Sequence, residues 1–323
     1  MKTVKQTYTK NARSLDDQIV LLKSRGVVIK DEEKAKEYLR DIGYYRLGFY
    51  SFPFEKTYPK LDSRRRHDVR HGTTIEDIIA LYYYDLDLRT ILYRYLSRIE
   101  VSIRTTFIYE LSLKYQHDPT WFVSPTVMAP DFISDFNKEV YSHIRNQQAI
   151  KHHHKKYYGP YAPAWKTIEY MTMGNIETLY DKLLLDSDKR LISLKYHESS
   201  ISAFKSYLGT LREVRNACAH GNVVYGLKLI GGVVSGAACT SFTNNDNQTL
   251  KGALIVIDYL IRQISINRAT DMWNELNHAT LRLYSKVPSI RSLIESKTGI
   301  IVANPKATII ERIVAFWAKL FGK

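Results

Sequence analysis

Apolar residues recur every three or four positions along most of the chain, the period of a helix that buries one face. The longest such run lies between Thr74 and about Gln116, where Leu88, Ile91, Leu92, Tyr95, Ile99, Ile103 and Phe107 share one stripe. It predicts one long helix, or two joined near Asp85 to Asp87. Upstream, Ser14 with a carboxylate three positions on reads as a capping box that opens a helix closed by Gly26, and Asp31 to Gly43 repeats the acidic start and glycine stop. Further helices are expected at 131–155, 163–173, 175–185, 188–196 and 200–220, and again from Leu250. The last segment, KATIIERIVAFWAKLFGK, is amphipathic with few cations on its polar face, which predicts a helix docked on the core or on a second subunit rather than on a membrane surface.

Three stretches break the helical period. YYRLGFYSFPFE, residues 44–55, is aromatic and interrupted by Gly48 and Pro53, so a packed loop or short hairpin is expected there. SRRRHDVRHG, residues 63–72, is polar, basic and aperiodic, and marks a boundary. VVYGLKLIGGVVSGAACTSF alternates β-branched residues with glycines and predicts a small inserted β-hairpin near 222–243. The expected fold is mainly all-α: an N-terminal helical and aromatic extension over 1–72, a helical domain over 73–280 carrying the hairpin, and a C-terminal helical tail over 281–323. No repeat or low-complexity tract interrupts it.

At 323 residues the chain can bury a substantial core without staples, and two cysteines, Cys218 and Cys239, are too few for a disulfide framework. With no apolar run near membrane-spanning length and no leader-like pattern at MKTVKQTYTK, a soluble, reducing, cytoplasmic setting is expected, without membrane association. The formal net charge of +14 and the 24 tyrosines offer cations for phosphates and flat faces for bases, which favours a polyanionic partner.

The candidate chemistry lies in VRNACAHGN, residues 214–222. On a helix ending at Gly221, Leu211, Val214 and Cys218 form the core stripe. Asn216 and His220 lie one turn apart on roughly the opposite side, with Arg215 between the two faces. The small residues 217–219 would let another helix or a ligand approach. Plainer readings remain open: His220 favouring the negative end of the helix dipole, and Gly221 serving as an ordinary stop.

RNACAH matches the R-N-x-x-x-H motif of HEPN domains (higher eukaryotes and prokaryotes nucleotide-binding), a helical family that includes many RNA-cleaving toxins. The chain more widely resembles the Abi-like (abortive infection) proteins of phage defence, of the AbiD and AbiF type. The resemblance rests also on IGYYRLGFYSFPF, YYYDLDLRTILYRYLSRIEVSIRTTF and PAWKTIEYMTMGNIETLY, in the family's order over about residues 35–225.

The resemblance implies a HEPN-type helical bundle and a metal-independent endoribonuclease toxin needing no cofactor. His220 would do acid/base work, Arg215 would stabilise transition-state charge, and Asn216 would orient the histidine or the phosphate. It also implies a homodimer in which two motifs share one composite site, and, as in some relatives, a small non-coding RNA as antitoxin. In the family-like blocks Glu100 and Arg104 would line the cleft and order Arg215, with Glu169 in a similar role, although an i,i+4 ion pair alone would explain the first two. Tyr44, Tyr45 and Arg46 could grip RNA by stacking and charge, or simply pack. KHHHKK, residues 151–156, lacks a completing ligand pattern for a metal and reads as a solvated basic face. Its Lys155 and Lys156, with Arg64, Arg65 and Arg66, would draw in RNA. The rival readings are an RNA-binding module that cleaves nothing and a dimerising scaffold.

Overall fold

The structure is a computed structural model and describes residues 11–61, 65–243 and 245–302. Its elements are helices: α1 (Leu15–Ser24), α2 (Glu32–Ile42), α3 (Tyr44–Ser51), α4 (Ile75–Lys114), α5 (Pro130–Phe136), α6 (Ser142–Ile144), α7 (Gln148–Lys156), α8 (Ala164–Thr167), α9 (Met173–Asp181), α10 (Asp186–Ser193), α11 (Ile201–Ala219), α12 (Leu250–Ile264), α13 (Ile266–Lys286) and α14 (Arg291–Thr298). Among the described residues there are isolated β-bridges but no strand, so the fold is all-α. None of these helices is long and apolar enough to cross a membrane.

The chain divides into two compact units: the residues up to Leu86 with Arg282–Arg291, and Asp87–Leu281 with the residues from Ser292 onward. In the first, α1 begins with the capping box that Ser14 and Asp17 predict, and packs against α2, which packs in turn against α3. Tyr50 is fully buried and its hydroxyl donates to Asp85 Oδ2 at 2.8 Å. Arg65 grips the buried Glu55 carboxylate through Nε and Nη2 at 2.8 and 2.7 Å and lies over the Phe52 ring.

In the second unit, the stripe read from the sequence, Leu88 to Phe107, is buried along α4, which runs unbroken. α11 lies against α9, α10 and α12 and buries Phe204, Tyr207, Leu208, Leu211, Val214 and Cys218.

Three expectations are corrected. Residues 44–51 form α3, not a loop or hairpin: Gly48 sits inside the helix with open space where a Cβ would stand, and Pro53 comes after α3, in the first turn of a 3₁₀ helix where a missing N–H costs nothing. The single helix expected over 131–155 is broken into α5, a π-helical stretch over Asn137–Tyr141, α6 and α7, the last restarting after extended backbone at Gln147.

The β-hairpin expected near 222–243 is an irregular strap. Its Val224, Leu229 and Val233 are buried, at spacings of five and four that no single strand face would give, and its backbone donors find partners outside a ladder. Leu229 and Val233 donate to Gln248 O and Asn247 O, both at 2.8 Å, while Ile230, Val234, Ala237 and Ala238 donate to Glu213, Ser206, Glu198 and Tyr207 on or just before α11. Side chains of a neighbouring helix thus replace the ladder that a second strand would supply. The amphipathic C-terminal segment, residues 306–323, lies outside the described residues, as do the first ten.

Candidate active site

α11 opens at Ser200, whose side chain accepts from Ala203 N at 3.2 Å, and its core stripe fixes the helix's rotation. Its C-terminus is a Schellman motif: Asn222 N donates to Ala217 O at 2.9 Å, Gly221 N to Cys218 O at 3.3 Å, and Gly221 adopts φ +68°. Only glycine takes that conformation without a steric cost, so Gly221 is indeed the stop. Arg89, buried in α4, donates through Nη1 to Gly221 O at 2.8 Å and Asn222 O at 3.2 Å and anchors the cap from outside.

This cap places His220 as the residue that closes α11, exposed, one turn after the half-buried Asn216. Arg215 lies between, with its side chain 32% exposed. The pattern of faces matches that read from the sequence. Of the small residues, Ala217 and Cys218 turn inward, and Ala219 is the one on the surface.

Arg215 is held from several sides. Its Nη1 donates to Asn216 Oδ1 at 3.3 Å, its guanidinium carbon stands 5.9 Å from the centre of the Tyr93 ring, and its Nε faces Glu100 Oε2 at 3.9 Å. The Nε is buried without a hydrogen-bond partner, since 3.9 Å is within ionic range but too long for a bond. Glu100 also accepts from Arg104 Nη2, and Arg104 donates onward to Met171 O at 2.7 Å. Glu100 and Arg104 are both nearly enclosed, at 12% and 15% exposure. One carboxylate therefore sits between two guanidiniums, which fixes Arg215 in place and leaves the cluster with an excess of positive charge.

The other sequence candidates fall elsewhere. Glu169 is exposed on a single 3₁₀ turn shortly before Met171. Lys155 and Lys156 are exposed at the end of α7. In the same helix His153 stacks on Tyr157, and burial, then the Lys166 and His154 charges, hold its pKa below the usual histidine value. Tyr44, Tyr45 and Arg46 lie on α3 of the first unit; Tyr44 accepts a hydrogen bond from Arg25 at 2.6 Å, and Tyr45 is 82% exposed. Arg65 is occupied by Glu55, Arg66 is exposed, and Arg64 lies outside the described residues. Among the described residues no three His, Cys, Asp or Glu side chains converge as a metal site would require.

Sequence reasoning missed Arg89 and Tyr93. Both stand in the block YYYDLDLRTILYRYL. A charged residue set beside the apolar stripe of α4 was the available signal for Arg89, whereas nothing local distinguished Tyr93 from the neighbouring tyrosines.

A family model described as Abi-like protein matches residues 37–226, a span that contains α3, α4, the Glu100 and Arg104 pair and the whole of α11. No curated protein and no solved structure matches the chain.

Proposed function

The chain belongs to the Abi-like protein family, and from that premise we propose that it is an endoribonuclease of phage defence, of the HEPN kind, which cuts RNA without a metal. The observation that carries the reading is the end of α11: a guanidinium that faces a carboxylate and bonds an amide, with an exposed histidine closing the same helix.

In this chemistry the RNA's own 2′-hydroxyl attacks the adjacent phosphorus. A base removes the 2′-hydroxyl proton, the P–O5′ bond breaks, and an acid protonates the departing 5′-oxygen. The products carry a 2′,3′-cyclic phosphate and a 5′-hydroxyl. Histidine can take either proton-transfer role near neutrality, and Arg215 would meet the charge that grows on the non-bridging oxygens. Asn216, already bonded to Arg215, would orient the guanidinium or the phosphate.

Two proton transfers on opposite sides of phosphorus call for a second group. A homodimer that brings together His220 of two copies would supply it. Exposed Ala219 and the partly exposed ring of Tyr93 leave the approach uncrowded. The net charge of +14 suits both an RNA substrate and a small non-coding RNA that restrains the toxin.

The test compares RNA cleavage and growth arrest by the intact chain and by His220→Ala. The variant should melt normally and bind RNA with unchanged affinity, yet lose cleavage and toxicity, and the intact enzyme should work undiminished in EDTA. Cleavage that EDTA abolishes and magnesium restores would overturn the mechanism. Growth arrest that survives His220→Ala would favour an RNA-binding module instead.

A further inference from the structure

Within the first unit, α1 and α3 enclose a cavity of about 940 Å³, near the upper end of the 300–1,000 Å³ or so usual for small-molecule sites. Its chemistry is one-sided. Among the described residues, Arg13, Arg25, Arg65 and His67 reach its lining and no aspartate or glutamate does. Leu22 and Leu47, both buried, contribute apolar surface. Tyr44, Tyr45 and Phe49 supply aromatic wall; the last two meet edge to face at 5.2 Å and are largely exposed, Tyr45 at 82% and Phe49 at 43%.

The cations are not equivalent. Arg65 is neutralised by its two-pronged bond to buried Glu55. Arg25 instead donates through Nη1 to a neutral partner, Tyr44 Oη, at 2.6 Å, so its guanidinium is positioned without losing its charge. Arg13 is exposed at the mouth, and its backbone carbonyl accepts from Gln18 Nε2 at 3.0 Å. That bond holds the Gln18 side chain against the start of α1 at the edge of the cavity.

A ligand matching these features is an anion with a flat body. We propose that this cavity binds a nucleotide: its base between the aromatic wall and the leucines, its phosphate on Arg13 and Arg25. Stacking and cationic grip are the general terms of single-stranded nucleotide recognition. The ligand is either a free nucleotide or one residue of an RNA strand, and the site needs no cleavage at α11 to operate.

Gly48 gives a clean way to close the cavity. It lies in the lining, and a Cβ built on it meets nothing within 4 Å, so a larger side chain starts from open space. Replacing a mid-helix glycine also favours the helix.

The experiment uses the full chain carrying His220→Ala, so that RNA is not consumed, titrated calorimetrically with AMP, with an adenine hexaribonucleotide and with inorganic phosphate. Gly48→Leu and Arg25→Gln are made in the same background, with melting curves to confirm folding. The expected result is AMP binding that weakens at least about tenfold in both variants, more than about 1.4 kcal/mol by the usual conversion. Hexamer binding alone with the same sensitivity would keep the proposal and identify the strand as the source. Phosphate binding as tight as AMP, no binding of either nucleotide, or binding indifferent to Gly48→Leu in a chain that melts normally, would overturn it. Because the readout is binding, its outcome is separate from whether α11 cleaves RNA.

Discussion

Glu100→Gln removes one negative charge while keeping the side chain's shape, and it tests whether that carboxylate is what holds Arg215. Two guanidiniums face Glu100, that of Arg215 at 3.9 Å. At this separation and an effective dielectric constant near 20, one such pair attracts by about 4 kcal/mol before desolvation is subtracted. With Glu100 at 12% and Arg104 at 15% exposure, desolvation takes back much of the gain. Deleting one partner of a largely enclosed pair still leaves the cations uncompensated, so a net loss of about 1–3 kcal/mol is expected. For a chain of 323 residues, with an unfolding entropy of about 0.7 kcal/mol/K, that lowers the melting temperature by about 1.5–4.5 °C. On the proposed ribonuclease reading, RNA cleavage should fall about tenfold or more through kcat, since a freed guanidinium would no longer be held ready for the phosphate. A double-mutant cycle with Arg215→Gln should show a coupling of about 0.5–2 kcal/mol in thermal or denaturant melts. If the single variant melts within about 1 °C of the parent and the cycle is additive, Glu100 does not position Arg215 and the electrostatic account of the cluster fails.

Gly236→Ala should destabilise the chain by about 1–3 kcal/mol in denaturant melts, because the new methyl would collide with Glu198 Oε2, Tyr207 Oη and Ala203, which hold the strap to α11. The depressed pKa of His153 makes its neutral form the one that folding favours. Its stability contribution is therefore complete above the ordinary value of 6.5 and is lost as pH falls from there towards the folded-state pKa. His153→Gln should show a smaller fall in melting temperature than the parent across that window, and an identical fall would refute the assignment. Replacing both Lys155 and Lys156 by Gln should reduce the slope of log affinity for RNA against log salt by about one for each phosphate that these lysines neutralise. An unchanged slope would refute the expectation that α7 draws in RNA.

The helical body was legible because burial on one face leaves a periodic trace. The stripe from Leu88 to Phe107 and the stripe Leu211, Val214, Cys218 are both buried as their spacing requires. The arrangement of Arg215, Asn216 and His220 around α11 followed from the same rotation. Two misreadings share a cause: local composition does not say where backbone donors go. Alternating β-branched residues near 222–243 fit a strand, yet the hydrogen bonds are met by Glu198, Ser206, Tyr207 and Glu213. Gly48 and Pro53 look like breakers around residue 50, yet one occupies open space within α3 and the other begins the next turn. The Glu100 link to Arg215 spans more than a hundred positions, so spacing could not reveal it; only the family-like block suggested that pair. The clamp by Arg89 on the end of α11 is likewise a long-range interaction.

That clamp and the cap beneath it make α11 a ratchet with a hard stop. A helix ended only by solvent could absorb an extra residue by fraying. Here the glycine turn and Arg89 hold the terminus to a fixed tooth, so one alanine inserted between Asn216 and His220 would swing the imidazole about 100° around the axis relative to the asparagine. Lengthening the strap past Asn222 should disturb nothing at that tooth, which makes it the natural place to splice in a reporter peptide.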